Sequence, residues 1–140
     1  MNSKGGLYRS VLYIPGARAR ALDKARGLDV DAIIFDLEDA VAPDEKISAR
    51  ATLTEALGQG GFGHRFRIVR INGLDTEWGA GDAEAVAAMD CDAVLIPKVE
   101  SAASNEVCKA VIICDRSPPR SHLNSFARSL VPITNPCTRG

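Results

Sequence analysis

Short apolar runs alternate with amphipathic stretches along the first 100 residues of the chain. The runs begin at about residues 11, 32, 67 and 93, within the segments 10–16, 31–39, 67–73 and 92–100. Short, continuously apolar runs are typical of strands buried on both faces, and the stretches between them have helical spacing. The pattern therefore predicts an α/β fold, in which a parallel sheet is built from strand–helix units.

Three helices are predicted between the runs. The first covers residues 17–27, and Gly27 is its stop signal. Asp44 is the predicted N-cap of the second helix, which extends to Gly58. The apolar face of the second helix is expected to comprise Ala49, Leu53, Ala56 and Leu57. A glycine-rich loop follows it, and the third helix is expected within residues 77–90.

Two architectures accommodate this pattern: an open doubly wound sheet and part of a closed eight-stranded barrel. The turn after the first strand, PGARAR, lacks the GxGxxG of a dinucleotide-binding fold, and the chain has no GxxxxGK[ST] phosphate loop. A complete barrel needs roughly 200–250 residues, whereas this chain has 140. Four strand–helix units in about 110 residues would form half of a barrel.

Composition narrows the classes of partner. The net charge of −1 provides no field for nucleic acid, and no apolar run approaches the roughly 20 residues of a membrane span. The first ten residues lack the apolar core of a secretory signal, so a cytoplasmic protein is expected. The four cysteines lack metal-binding spacing, and Cys91 is expected to be a small buried residue.

Polar residues follow each of the four predicted strands. In parallel α/β folds, ligands bind at the carboxyl ends of the strands, where the loops converge. The residues at these ends are Tyr13 and Arg18, then Asp36, Glu38 and Asp39, then Arg70 and Asn72, and finally Lys98 and Glu100. We therefore expect a polar cleft, and the three acids suggest a nearby magnesium ion or its water shell. A purely structural role in helix capping or ion pairing is the alternative.

The same strand ends carry a family resemblance. The segments RSVLYIPG, DAIIFDLEDAVAPDEKISAR, RIVRINGLDT and VLIPKVES cover about residues 9–103. In order and spacing they resemble the HpcH/HpaI aldolase and citrate lyase β-subunit superfamily, in its CoA-ester lyase branch. The resemblance implies a (β/α)8 TIM-type barrel, of which this chain would hold the first four units and an irregular tail. It also implies Mg2+-dependent, reversible aldol- or Claisen-type cleavage of a hydroxyacyl-CoA such as citryl-CoA or malyl-CoA.

The resemblance assigns roles to individual residues. Arg70 matches the arginine that binds substrate oxygens, although an ion pair with Asp36 or Glu38 is the structural alternative. Glu38 and Asp39 match an acidic loop that lines the metal site, and the resemblance implies a catalytic role for both of them beside Arg70. A supporting role is implied for Asp36, and Asn72 and Lys98 are expected to organise the loop.

Three further residues match positions that contact the CoA or acyl part of the substrate. They are Tyr13, Arg18 and Lys24. For Arg18 and Lys24, the alternative is that they are solvated charges on a helix. The expected substrate is an acyl-CoA or an acyl-carrier thioester, and family members assemble as trimers or hexamers.

The direct metal ligands of the family lie beyond the matching segments, so none is assigned here. We expect residues 1–115 to form the N-terminal half of the barrel and 116–140 to be a poorly packed tail outside the family pattern. The chain alone is accordingly expected to be an inactive lyase fragment. A catalytically inactive half-barrel with a binding or assembly role, and the product of a damaged gene, are the alternatives.

Overall fold

A computed structural model of the chain describes residues 8–100 and 107–113, with the backbone alone for 98–100 and 107–113. The strands of the described part are β1 (Val11–Pro15), β2 (Ala32–Asp36), β3 (Phe66–Arg70), β4 (Ala93–Glu100) and β5 (Val107–Ile113). Its α-helices are α1 (Ala19–Ala25), α2 (Lys46–Gln59) and α3 (Gly79–Ala88). No helix in these residues is long and apolar enough to cross a membrane.

The first four strands form a parallel sheet in chain order, with one helix between each pair, as the sequence predicts. Pro15 lies opposite Asp36, and Asp36 lies opposite Arg70. The carboxyl ends of β1, β2 and β3 therefore stand level with one another. This register places the polar residues that follow these strands at one edge of the sheet.

Apolar residues cover both faces of the sheet. Ile33 and Phe35 of β2 belong to the main core, together with the buried face of α2. The predicted apolar face of α2 is confirmed, because Ala49, Leu53, Ala56 and Leu57 are all buried. On the other face, Ala32 packs with residues of β3 and β4 in a smaller cluster. Burial on both faces explains why β2 has no apolar–polar alternation.

The predicted fourth strand–helix unit differs from the observed structure. The described segment after β4 is not a helix but β5, which pairs with β4 antiparallel. Its sequence, VCKAVII, is rich in β-branched residues that favour strands. Pairing is irregular between Ile96 and Val99, around Pro97, which lacks a backbone N–H donor. The predicted tail, 116–140, lies outside the described residues.

The predicted N-cap of α2 is wrong. Asp44 lies inside a short 3-10 helix, Pro43–Glu45, and α2 begins at Lys46 with Glu45 as its N-cap. The side chain of Glu45 forms no capping hydrogen bond. Pro43 fixes a helical φ at the start of the tight turn, so the chain enters helical geometry before Asp44 can act as a cap.

Candidate active site

Arg70 and Asp36 form the centre of the polar edge. The Nε of Arg70 donates to Oδ1 of Asp36 at 2.8 Å, and Nη2 donates to Oδ2 at 2.6 Å. The two residues lie opposite each other on adjacent strands. Two parallel charge-assisted hydrogen bonds fix the plane of the guanidinium group, in a geometry that lysine would not reproduce.

The next two acids in the sequence complete the cluster around Arg70. Oε2 of Glu38 lies 3.3 Å from Nη1, and Oδ2 of Asp39 lies 3.6 Å from Nη2. Glu38 is buried, whereas the side chain of Asp39 is 69% exposed. The predicted proximity of Arg70 to the three acids is therefore confirmed, and Asp39 is its outermost and most weakly held member.

Asp36 also shapes the turn that carries the other two acids. Its Oδ1 accepts the backbone N–H of Glu38 at 2.8 Å, and its Oδ2 accepts that of Ala40 at 3.0 Å. An aspartate at the end of a strand commonly bonds in this way to the backbone that follows it. Asp36 thus links the turn geometry to the orientation of Arg70.

These contacts fix the charge states of the central pair. Burial acts to raise the pKa of Asp36, but the hydrogen bonds from Arg70 and from the N–H groups of Glu38 and Ala40 outweigh it. The pKa of Asp36 is therefore lower than its ordinary value. The hydrogen bond to Asp36 raises the pKa of Arg70, against the effect of burial. Arg70 is consequently a permanent cation, able to donate hydrogen bonds but not to release a proton.

Strand β1 contributes Tyr13 to the cluster around Arg70. Its ring centroid lies 5.0 Å from Cζ of Arg70, in a cation–π contact. The guanidinium group therefore lies over the Tyr13 ring, whose face attracts a cation. Tyr13 is itself 46% exposed, so the edge of the cluster remains open to solvent on this side.

The other predicted site residues occupy different positions. Arg18 is exposed just before α1, and Lys24 is exposed in the last turn of that helix. The structure brings neither of them into the described contacts of Arg70. Asn72 is buried and donates from Nδ2 to the carbonyl oxygen of Leu37, a contact with the acidic turn. The side chain of Lys98 lies outside the described residues. The functional roles of these residues stay predictions.

Sequence reasoning missed two buried polar residues behind the turn. Nζ of Lys46 donates to the carbonyl oxygens of Leu37 and Glu38 at 3.1 and 2.7 Å. Asp82, in the first turn of α3, accepts the backbone N–H of Asn72 at 2.9 Å. The spacing DLED…K in the sequence was the available signal for Lys46, since it places a cation seven residues after the last of three acids.

The side chains described here do not form a complete metal site. Among the described residues, no group of three or more Asp, Glu, His or Cys side chains could hold a metal ion. Carboxylate oxygens are suitable donors for magnesium, but both oxygens of Asp36 bond to Arg70. The three closely spaced acids therefore do not constitute a ligand set, and any magnesium ion would need ligands from outside the described residues.

Comparison with known proteins identifies the family. Residues 9–125 match the model of the HpcH/HpaI aldolase/citrate lyase family. The chain belongs to this family. The match continues to residue 125, beyond the predicted boundary at residue 115. That boundary itself stays a prediction.

Two named relatives illustrate the range of the family. A (3S)-malyl-CoA thioesterase from Cereibacter sphaeroides is 63% identical over 105 residues, covering 75% of this chain and 37% of the relative. The citrate lyase subunit β of Escherichia coli is 37% identical over 131 residues, covering 90% of this chain and 43% of the relative. The chain thus spans less than half the length of these enzymes.

Solved structures agree with the fold. The citrate lyase β-subunit of Mycobacterium tuberculosis, complexed with oxaloacetate and magnesium, has a TM-score of 0.57 at 33% identity. The match covers 72% of this chain and 43% of that one. The CitE protein of the same organism, solved with magnesium, acetoacetate and coenzyme A, has a TM-score of 0.55 at 33% identity, over 68% of this chain and 35% of that one. Magnesium is therefore present in structures of family members.

Proposed function

We propose that this chain supplies the arginine corner of an active site that cleaves a carbon–carbon bond in a hydroxyacyl-CoA of the malyl-CoA or citryl-CoA type. The observation that carries the proposal is the state of Arg70. It is oriented by Asp36 on one edge, while Nη2 on its other edge lies 3.6 Å from the exposed Asp39. Family membership supports the reaction class.

The edge of Arg70 formed by Nη1 and Nη2 is where a substrate oxygen would bind. The edge formed by Nε and Nη2 is occupied by Asp36. On this edge Glu38 lies 3.3 Å from Nη1, and Asp39 lies 3.6 Å from Nη2. Asp39 is exposed, so its displacement from Nη2 would cost little. An oxygen arriving there would receive charge-assisted hydrogen bonds from a guanidinium group that is already oriented.

A fixed cation suits the chemistry of this reaction. As the substrate hydroxyl gives its proton to a base, the carbon–carbon bond breaks and its electron pair passes to the acyl-CoA fragment. This fragment leaves as an enolate with negative charge on the thioester carbonyl oxygen, and the other product is an oxo acid. Donors that are oriented before reaction stabilise such charge, and losing one commonly costs about 3–4 kcal/mol of barrier. Arg70 would act in this way on an oxygen of either fragment.

Hydrolysis of the same thioester is the second candidate. It is favoured by the 63% identical relative, which is named as a thioesterase acting on (3S)-malyl-CoA. Hydrolysis also develops an oxyanion, so Arg70 would have the same role. For either reaction we propose magnesium dependence, which is supported by the magnesium in structures of family members. We also propose an acyl-CoA or acyl-carrier substrate and a homo-oligomeric enzyme.

A chimaeric enzyme tests the proposal. The matching 105 residues of the Cereibacter sphaeroides relative would be replaced by those of this chain, and the product assayed with malyl-CoA and citryl-CoA. Cleavage of malyl-CoA yields acetyl-CoA and glyoxylate, whereas hydrolysis yields free CoA and malate. We expect an active chimaera in which Arg70→Lys lowers kcat/KM at least about 100-fold.

The matched control is Arg67→Lys, which changes the other partly buried arginine of the same strand. It should leave kcat/KM within about threefold, because the carboxylate partners of Arg67 are Asp90 and Asp92 rather than the acids of the turn after β2. A folded chimaera without activity would favour an inactive binding or assembly protein. If Arg67→Lys and Arg70→Lys lowered kcat/KM equally, a specific role of Arg70 in the reaction would be contradicted.

A further inference from the structure

Lys46 occupies an unfavourable position for a cation. It is buried, and it is the first residue of α2, where the positive end of the helix dipole lies. A buried charge is costly unless hydrogen bonds compensate for it. Replacement of buried charged groups by apolar side chains of similar volume is often neutral or stabilising, so packing alone does not require a cation here. The placement therefore calls for an explanation other than packing.

The contacts of Lys46 converge on the turn that carries the acidic residues. Its two described hydrogen bonds go to the carbonyl oxygens of Leu37 and Glu38, at 3.1 and 2.7 Å. Its Nζ also lies 5.2 Å from the ring centroid of Trp78, in the loop between β3 and α3. Lys46 thus joins the start of α2 to the turn after β2 and to the next loop.

The peptide unit between Leu37 and Glu38 is held on both sides. Its carbonyl oxygen accepts hydrogen bonds from Lys46 and, at 2.9 Å, from Asn72. Its N–H donates to Oδ1 of Asp36, the atom that also accepts Nε of Arg70. A cation on the carbonyl side polarises the peptide and strengthens its N–H as a donor. The path from Lys46 to Arg70 therefore runs through one peptide and one carboxylate.

Asn72 is itself held by a buried network. Asp82 accepts its backbone N–H, and Arg50 donates to Asp82 from Nε at 2.6 Å. Arg50 lies one helical turn after Lys46 on α2. Two residues on one face of α2 thus secure the same peptide, Lys46 directly and Arg50 through Asp82 and Asn72.

We propose that Lys46 is a positioning residue for Arg70, acting by clamping the Leu37–Glu38 peptide so that Asp36 and Glu38 present their carboxylates to the guanidinium group. The proposal rests on the proposed function, in which an oriented Arg70 receives a substrate oxygen. Lys46 does not touch the substrate in this scheme. Its effect on the reaction is transmitted through the geometry of the turn.

The test is NMR spectroscopy of the full chain. In the wild type, the Lys46 ammonium group should show scalar couplings across its hydrogen bonds to the carbonyl carbons of Leu37 and Glu38. In Lys46→Met, which keeps the apolar stem, the Glu38 amide should exchange about tenfold faster and the Arg70 Nε–H resonance should shift. Lys46→Arg restores a cationic donor and should recover part of both signals.

Leu57→Ala is the matched control, because it removes a buried side chain near the other end of α2. It should lower global stability and leave the Arg70 Nε–H resonance in place. Unchanged signals in Lys46→Met would overturn the proposal. If Lys46→Met does not fold, the test rests on the scalar couplings of Lys46 in the wild type. Absence of these couplings would overturn the proposal. These readouts need no turnover, so an inactive chimaera would remove the proposed function without deciding the role of Lys46.

Discussion

Arg67 and Arg70 lie three residues apart on β3, and both side chains are 14% exposed. Each donates hydrogen bonds from Nε and Nη2 to the carboxylate of one aspartate. This aspartate is Asp92 for Arg67 and Asp36 for Arg70. They differ at the remaining nitrogen. Nη1 of Arg67 donates to Asp90 at 2.8 Å, whereas Nη1 of Arg70 lies 3.3 Å from a Glu38 oxygen.

The difference separates a structural arginine from a functional candidate. Arg67 connects the start of β4 to β3, because its Nε, Nη1 and Nη2 all donate close hydrogen bonds to carboxylate oxygens. Arg70 has close bonds on one edge only, and its other edge meets longer contacts and the exposed Asp39. Burial and ion pairing alone would not distinguish them, because the two arginines match in both respects. The distribution of close contacts around the guanidinium group does.

The largest expected effect is on stability. Arg67→Met should lower the free energy of unfolding by about 3 kcal/mol, measured by urea denaturation of the full chain. This is the low end for breaking a buried pair, since Asp90 is partly exposed. Arg70→Met should cost a similar amount, yet only Arg70→Met should abolish activity in the chimaera. A loss below about 1 kcal/mol for Arg67→Met would contradict the structural assignment.

Asp36→Asn should cost about 2 kcal/mol near neutral pH, because a charge-assisted partner of Arg70 is lost. The pKa of Asp36 is lower in the folded state than in the unfolded chain. Its contribution is therefore present above the unfolded value of about 3.9 and is lost as the pH falls through the folded pKa. Denaturation at pH 7, 5 and 3 should show the wild type and the variant converging only in acid. A constant difference would contradict this assignment.

Magnesium should bind this chain only weakly, because the described acids do not form a ligand set. A dissociation constant of about 10 mM would raise the free energy of unfolding by about 0.4 kcal/mol at 10 mM Mg2+. Calorimetric titration and thermal denaturation check this value, with Glu38→Gln as the comparison. The chain alone should also show no turnover of malyl-CoA. Micromolar affinity or measurable cleavage would show that the present residues suffice.

Asp39→Asn should change the free energy of unfolding by only about 0.2 kcal/mol. The side chain is 69% exposed and its contact with Arg70 is 3.6 Å, so solvent screens the interaction. Urea denaturation at low and high salt measures the effect. A loss above 1 kcal/mol would mean that Asp39 holds Arg70 as firmly as Asp36 does, and the open edge would then not exist.

Much of this arrangement could be predicted from the chain itself. Apolar runs locate β1 to β4, and the rule that strand ends converge brings Asp36 and Arg70 together. The contact between Tyr13 and Arg70 depends on register, which periodicity does not specify. Lys46 escaped notice because a lysine at the start of a helix is ordinarily solvated, and only the folded turn supplies its two carbonyl partners.

The missed strand has a different cause. Residues 107–113 follow a run of small and polar residues, and the repeating order of the earlier units favoured another helix there. The preference of β-branched residues for strands points the other way, and it prevails because β4 offers a partner. A pattern read along the chain does not reveal which strand will be available for pairing.

The unequal lengths of the strands have a thermodynamic consequence. β3 pairs with β4 only as far as Leu95, whereas β4 continues to Glu100 alongside β5. Five residues of β4, a span of about 16 Å at 3.3 Å each, thus project past Arg70 as part of a two-stranded ribbon. Two strands alone are marginally stable in water. We therefore expect the end of the ribbon, where Val99 and Glu100 pair with Cys108 and Val107, to open at a lower free energy than the four-stranded sheet.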